Sequence, residues 1–149
     1  MAIQSIRIFG DPVLRTPAAE VVDFDKELHK LVADLMDTME DAPGVGLAAP
    51  QLGVSLRVFT YWVDEELGHL VNPTLKLSDD IELGEEGCLS LPGRRFYVKR
   101  PYRIVASWTN VVGHRISGAV LHGASARIFQ HEHDHLRGVT LEQSSTKEI

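Results

Sequence analysis

Gln130-His131-Glu132-His133-Asp134-His135-Leu136 contains the pattern His-Glu-x-x-His. Residues four apart share one face of a helix, so the imidazoles of His131 and His135 can grip one metal ion. Glu132, beside the first of them, is placed to handle a proton of metal-bound water. The chemistry is metal-assisted hydrolysis, and such a site needs a third protein ligand. Downstream of His135 the acidic residues are Glu142 and Glu148 alone, which directs the search upstream. Cys88, the one cysteine of the chain, fits that role. A thiolate with two imidazoles leaves the fourth tetrahedral position open, as in catalytic rather than structural sites, and metal binding keeps the thiol deprotonated. Taken alone, a single cysteine reads more readily as a small buried hydrophobe. Its setting, Glu86-Gly87-Cys88-Leu89-Ser90, shifts the balance. Gly87 allows close backbone approach, and Glu86 can orient a ligand or pair with an arginine.

A third stretch, Gly44-Val45-Gly46-Leu47-Ala48-Ala49-Pro50-Gln51, has small residues that let a substrate or another segment lie against its backbone. Gln51 ends it with an amide able to donate to a developing oxyanion. The dinucleotide fingerprint fits poorly, because the third glycine is missing and the stretch follows a helical rather than a strand pattern. Glu86 and Arg100 form a candidate ion pair behind the metal ligands, against the alternative of ordinary surface charges. His133 points away from the ligand face and reads as facing solvent or backing the site. His29, His69, His114 and His122 are scattered and read as surface or core residues.

These residues must be held by a scaffold of 149 residues, long enough for one domain (1–149) with a real core. A hydrophobic fraction of 44% and a charged fraction of 24% fit a globular chain. A net charge of −6 without a Lys/Arg run argues against a nucleic-acid-binding surface. One cysteine excludes an intramolecular disulfide and suits a reducing compartment. The first seven residues lack the charged and apolar blocks of a signal peptide, and no apolar run is long enough to span a bilayer, so a cytoplasmic, non-membrane protein is expected.

From Phe24 to Met39 the apolar residues keep a helical period, with Asp23 as N-cap. Pro43-Gly44 ends that helix. Residues 55–62 and 69–71 read as strands, the second ended by Asn72-Pro73. Residues 82–92 read as extended with a turn at Pro92-Gly93, and the acidic Asp79, Asp80, Glu82 and Glu85 as a solvated loop. Residues 96–98 and 104–108 read as strands, and residues 110–113 as a hairpin turn returning through 114–120. A second helix runs from Gly123 with Gly138 as its C′ residue. The expected class is α+β: short antiparallel or mixed sheets packed around a central helix carrying the metal motif, plus an N-terminal helix.

Together these residues resemble the peptide deformylase family. Its three motifs, Gly-x-Gly-x-Ala-Ala-x-Gln, Glu-Gly-Cys-Leu-Ser and Gln-His-Glu-x-Asp-His-Leu-x-Gly, stand complete at 44–51, 86–90 and 130–138, in the family's order. The resemblance extends through Leu70-Val71-Asn72-Pro73 and Leu91-Pro92-Gly93 and covers nearly the whole chain. It implies that Cys88, His131 and His135 bind the metal and that Glu132 is the general acid/base. Gln51 and the Leu89 N–H would form the oxyanion hole. Val45, Gly46, Arg95 and Ile128 would contact substrate, with Val45, Ile128 and His131 lining the methionine pocket. The implied cofactor is one divalent ion, Fe²⁺ by preference, with Zn²⁺, Ni²⁺ or Co²⁺ able to substitute. The implied partners are N-formylmethionyl peptides or nascent chains, with the ribosome as a candidate contact and a monomer as the expected state.

Two departures stand out. Gly123 is followed by Ala124-Ser125 where many relatives carry bulkier apolar residues, which would enlarge the pocket or weaken inhibitor contacts. The stretch after Gly138 is too short and polar for a packed helix of much stability, and Thr140-Leu141 replaces the usual apolar pair. Competing readings are a hydrolase for another N-acyl substrate and a non-catalytic metal-binding relative. Glu132 and Gln51 speak against the latter, since a scaffold needs neither a base nor an oxyanion donor.

Overall fold

The computed structural model describes residues 2–149. Met1, first of the residues read for a leader sequence, lies outside the described residues. Helix α1 (Lys26–Asp41) is followed by strands β1 (Gly46–Ala48), β2 (Val58–Val63) and β3 (Glu66–Leu77). Strands β4 (Ile81–Cys88), β5 (Leu91–Pro101), β6 (Arg103–Thr109) and β7 (Arg115–His122) lead to helix α2 (Ala124–Leu136). A single helical turn, α3 (Leu141–Ser144), and strand β8 (Lys147–Glu148) follow. All strand pairings are antiparallel, in a five-stranded sheet ordered β1-β2-β3-β6-β7 and a three-stranded sheet ordered β4-β5-β8. The expected α+β class is borne out.

The five-stranded sheet is covered on both faces, which follows from the alternation of side chains along its strands. Val58 and Val71 pair across one face and pack under Leu28, Val32, Leu35 and Met39 of α1. Phe59 and Leu70 pair across the other and pack with Ile104, Ala106, Phe129 and Leu136. Leu35, Met39, Phe59, Leu70 and Leu136 are fully buried. Each such side chain contributes about 1.5–3 kcal/mol relative to exposure. Phe129 anchors α2 by edge and tilted contacts to the rings of Phe59, Tyr61 and Trp108. Helix α2 also contacts β5, so one helix bridges both sheets. The smaller sheet has its own cluster of Leu91, Phe96 and Val98 with Leu141 of α3.

Several local expectations are corrected. Helix α1 is capped by Asp25, not Asp23: the Asp25 carboxylate accepts the Leu28 N–H at 3.1 Å. Strand β3 does not end at Asn72-Pro73. It runs through a bulge between Val71 and Thr74, which spares Pro73 a ladder hydrogen bond it cannot donate. Asn72, at φ 50°, accepts the Val21 N–H and donates to the Val21 carbonyl, both at 2.9 Å. The turn between β4 and β5 lies at Leu89-Ser90, directly after the cysteine, and Pro92-Gly93 sit within β5. Glu82 and Glu85 are strand residues of β4 rather than loop residues.

The Gly44–Gln51 stretch is not one loop: it holds β1 and a 3-10 turn, Ala49–Leu52. The stretch after Gly138 is more ordered than its polarity suggests. Leu141 is buried against Leu91, Phe96 and Val98, and β8 pairs with Phe96 and Tyr97. Gly138 takes the left-handed conformation (φ 74°) expected of it. Among the described residues no helix is long and apolar enough to cross a membrane.

Candidate metal centre

Four elements converge on one cavity of about 660 Å³. Strand β4 ends on Glu86-Gly87-Cys88, the tight turn presents Leu89, β1 with its following 3-10 turn brings Gly46 and Gln51, and α2 supplies His131 and Glu132, while Ser90 and His135 back this lining through Gln51 and Cys88. The helix is pinned through Phe129 on its core side, which turns the opposite side toward β4.

One ligand atom from each of Cys88, His131 and His135 lies within 4.8 Å of the other two. The Cys88 sulfur is 3.3 Å from His135 Nε2, and the two imidazole rings stand 5.2 Å apart at 69°. His131 turns Nδ1 to Glu86 Oε1 at 2.8 Å, which leaves Nε2 for a metal. His135 is buried with Nδ1 facing no protein partner.

This donor set suits a divalent ion on two grounds. One soft thiolate and two imidazoles are a borderline-metal site with room for a fourth ligand. The proton balance points the same way. Burial alone would raise the Cys88 thiol, but His131 and His135 hold it down at about 5. Burial alone would lower His131, but Cys88 and Glu86 raise it well above the usual imidazole range. The cluster thus holds positive charge against a thiolate, and a metal cation can replace that proton.

Glu86 is the hub behind the ligands. Arg100 donates to its carboxylate through Nε at 2.6 Å and Nη2 at 2.9 Å, and Arg127 through Nη1 at 2.7 Å. Burial opposes its ionisation, yet His131 and Arg100 hold the carboxyl far below its ordinary range. The Glu86–Arg100 pairing is therefore a buried ion pair, not a surface one. Arg100 also donates to Asp134 at 2.9 Å, and Arg137 and Ser144 donate to the same carboxylate.

Glu132 is buried, and burial pushes its carboxyl up. Its Oε1 lies buried without a protein partner. The Gly46 backbone rides directly over it: a Cβ built on Gly46 would overlap the Glu132 carboxylate. Gln51 is fixed in orientation. Its Oε1 accepts the Ala48 N–H at 2.9 Å, and its Nε2 donates to Ser90 Oγ at 3.1 Å and approaches the Cys88 sulfur at 3.7 Å. Only the amide N–H side can therefore face the metal site.

Val45, Gly46, Leu89, Arg95, Ile128, His131 and Glu132 all line the cavity. Ala124 lines it as well, whereas Ser125 turns back to donate to the His122 carbonyl at 3.1 Å. Phe129 and Trp108 lie in the core on the far side of α2 and fill none of it. His133 is half-buried beside Arg57 at 3.4 Å, and burial with Arg57 and Arg137 lowers it to about 4. His69 accepts the Val111 N–H, and His29, His114 and His122 are exposed.

Three residues of the site are not among those singled out from the sequence. Ser90 anchors the Gln51 amide, Arg127 shares Glu86, and Asp134 holds Arg100. Ser90 and Asp134 stand inside the motifs already quoted. Arg127 has no such marker, and its place four residues before His131 on the helix was the available clue.

The chain matches the family model described as polypeptide deformylase over residues 3–148. It is 60% identical to the peptide deformylase of Acidothermus cellulolyticus over 141 residues, 93% of this chain and 77% of that protein. It is 54% identical to the peptide deformylase of Parafrankia sp. over 143 residues, 93% and 76% of the two chains. The crystal structure of the Thermotoga maritima peptide deformylase superposes with a TM-score of 0.95 at 39% identity, covering 98% of this chain and 99% of that one. The Synechococcus elongatus peptide deformylase in complex with actinonin superposes with a TM-score of 0.92 at 35% identity, covering 97% and 79%.

Proposed function

The chain belongs to the polypeptide deformylase family, whose members remove the formyl group from N-formylmethionyl peptides, and on that premise we propose how its own residues carry out the reaction. The observation that carries the reading is the convergence of Cys88, His131 and His135 on one point beside buried Glu132 and the fixed Gln51 amide. Cys88, His131 and His135 hold one divalent ion. When bound, that ion polarises the formyl carbonyl and acidifies a water molecule.

Val45, Ile128 and the edge of His131 receive the methionine side chain in the cavity. Gly46 and Arg95 align the peptide backbone there. Water adds to the formyl carbon and the C–N bond breaks. Gln51 Nε2 and the Leu89 N–H donate to the oxygen on which negative charge develops, where one well-placed donor is worth roughly 3–4 kcal/mol. Glu132 takes the proton of the attacking water and delivers it to the leaving amine. Its buried setting, which raises its carboxyl, suits a group that must give the proton back. Formate and a free peptide N-terminus result.

Glu86 and Arg100 orient His131 from behind. The resident metal in this reading is Fe²⁺, with Zn²⁺, Ni²⁺ and Co²⁺ accepted by the same ligands. The reading further places the chain in the cytoplasm as a monomeric catalytic domain acting on nascent chains at the ribosome. The test is formate release from formyl-Met-Ala-Ser by anaerobically purified protein, with metal content measured on the same sample. Release in proportion to bound metal is expected. No release from the formyl peptide at full metal occupancy, with turnover of an acetyl analogue, would replace this reading by hydrolysis of another N-acyl group.

A further inference from the structure

Helix α2 faces the cavity with Ala124, Ile128 and His131, and among them stands an arginine for which the reaction has no evident use. Arg127 is largely buried, its side chain 14% exposed. It donates through Nη1 to Glu86 Oε2 at 2.7 Å and to the Val98 carbonyl at 3.0 Å, and through Nη2 to the Glu82 carbonyl at 2.8 Å. One guanidinium therefore ties the helix to both β4 and β5. Gly84 makes room for it: a Cβ there would lie 2.8 Å from Arg127 Cζ.

The setting explains what this clamp does. Strand β4 is an edge of the smaller sheet, with β5 on one side only. The same strand carries Glu86 and Cys88, one holding His131 and the other a metal ligand. An edge strand with nothing across it is free to twist or fray. Arg127 lies across the face of the β4–β5 pair over Gly84, where it reaches the Glu82 and Val98 carbonyls and meets the Glu86 carboxylate in the same reach. Arg100 already satisfies Glu86 from β5, so Arg127 is not needed to balance that charge alone. It is needed to fix where β4 sits relative to α2, and thus where Cys88 on the strand sits relative to His131 and His135 on the helix.

We propose that Arg127 is a positioning residue of the metal centre, a clamp between α2 and the face of the β4–β5 pair that sets how tightly Cys88, His131 and His135 hold their ion. This rests on the metal-hydrolase reading above. Lysine is a poor substitute, because a single ammonium cannot span Glu86, Val98 and Glu82 in a fixed fork.

The experiment loads wild type, Arg127→Met, Arg127→Lys and a distant cavity variant, Val32→Ala, with Co²⁺ or Zn²⁺ and follows metal transfer to an excess of chelator. Val32 is a buried residue of α1 that lines no part of the cavity, and it matches loss of stability without touching the clamp. Temperatures stay below the melting transition of every variant. Arg127→Met is expected to lose its metal about tenfold faster than wild type, the lower end of the effect of removing the outer partners of a metal ligand. Arg127→Lys should fall between, and Val32→Ala should keep the wild-type rate. The visible absorption of the cobalt form, which reports ligand geometry, should shift in Arg127→Met and not in Val32→Ala.

Wild-type release rates and spectra in a folded Arg127→Met would overturn the proposal, as would equal acceleration in Val32→Ala. Failure of wild type to bind either metal would instead remove the metal-hydrolase reading itself. Should Arg127→Met fail to fold, Arg127→Lys carries the same comparison: an accelerated release supports the clamp, and a wild-type rate overturns it.

Discussion

At the scale of single residues, the site separates holding the metal from moving the proton. The hydrogen bonds around the three ligands run to Glu86, Gln51 and each other, while Glu132 stands buried with its Oε1 free of any protein partner. Glu132→Gln keeps the shape and the ligands while deleting the proton carrier. Metal content should stay at the wild-type level and turnover should fall by about 10²–10⁴-fold, measured as formate release per bound metal. Near-normal turnover would assign the proton to another group. Gly46 gives a subtler test of the same point. A methyl group there overlaps the Glu132 carboxylate, and the carboxylate has to move aside. Gly46→Ala should therefore retain metal and melting temperature but lose about 10- to 100-fold in kcat, part of the general acid–base contribution. Loss of metal together with activity would show that β1 supports the ligands instead. Cys88→Ser should do the reverse, losing metal or changing which metal is kept, because oxygen is a harder ligand than thiolate. Full occupancy and activity in Cys88→Ser would remove the cysteine from the metal site.

Elements bring these residues together by endings rather than by middles. Cys88 is the last residue of β4, Gln51 lies in the turn after β1, and α2 stops one residue after His135. That stop is made by Gly138 at φ 74°, packed so closely on Arg15 and Thr16 that a Cβ would lie 2.8 Å from the Arg15 backbone. Gly138→Ala should cost more than the roughly 1 kcal/mol of a left-handed conformation alone, since backbone cannot yield as a side-chain tip does. Chemical denaturation would show it as a lower midpoint at unchanged slope, and an unchanged midpoint would show that the segment at Arg15 simply moves. The glycine itself was legible in the sequence, as were both helices and the His131–His135 pair, because each depends on residues near in sequence, while Cys88 and Gln51 were legible through the short motifs around them. The ends of the strands were not. Pro73 reads as a breaker, and only the bulge and the Asn72–Val21 bonds from a segment 51 residues away make it tolerable in β3. Likewise Pro92-Gly93 reads as a turn, while the chain turns three residues earlier to set Leu89 and Ser90 beside Gln51. Arg127 is invisible for the same reason, since its partners at 82, 86 and 98 are met only when α2 docks on the smaller sheet.

Across the whole molecule, the N-terminal segment links the two sides of the fold. Arg7 donates its N–H to the Gln51 carbonyl at 2.7 Å and Phe9 to the Ser90 carbonyl at 2.8 Å, behind the proposed oxyanion hole. Farther back the segment is fastened to α1: Gln4 donates to Thr38 at 2.9 Å and Ala2 to Asp34 at 2.7 Å. Asp34 also pairs with Lys30 at 3.0 Å. Burial opposes the charge on Asp34, but Lys30 and the Ala2 N–H overcome it and hold the carboxyl at about 2, below its ordinary 3.8. The folded state thus binds this proton more weakly than the unfolded chain does. Stability from Asp34 is fully present above the unfolded value near 3.8, declines as the pH falls, and is lost once the pH drops through about 2. Asp34→Asn removes the charge at every pH. Its melting temperature should lie below wild type by a constant gap above about pH 5 and converge with it between about pH 4 and 2. Thermal melts of both proteins across that range, on samples matched for metal, give the difference directly. A gap that stays the same down to pH 2 would mean that Asp34 acts through shape and hydrogen bonding, with its charge playing no part in fastening the segment.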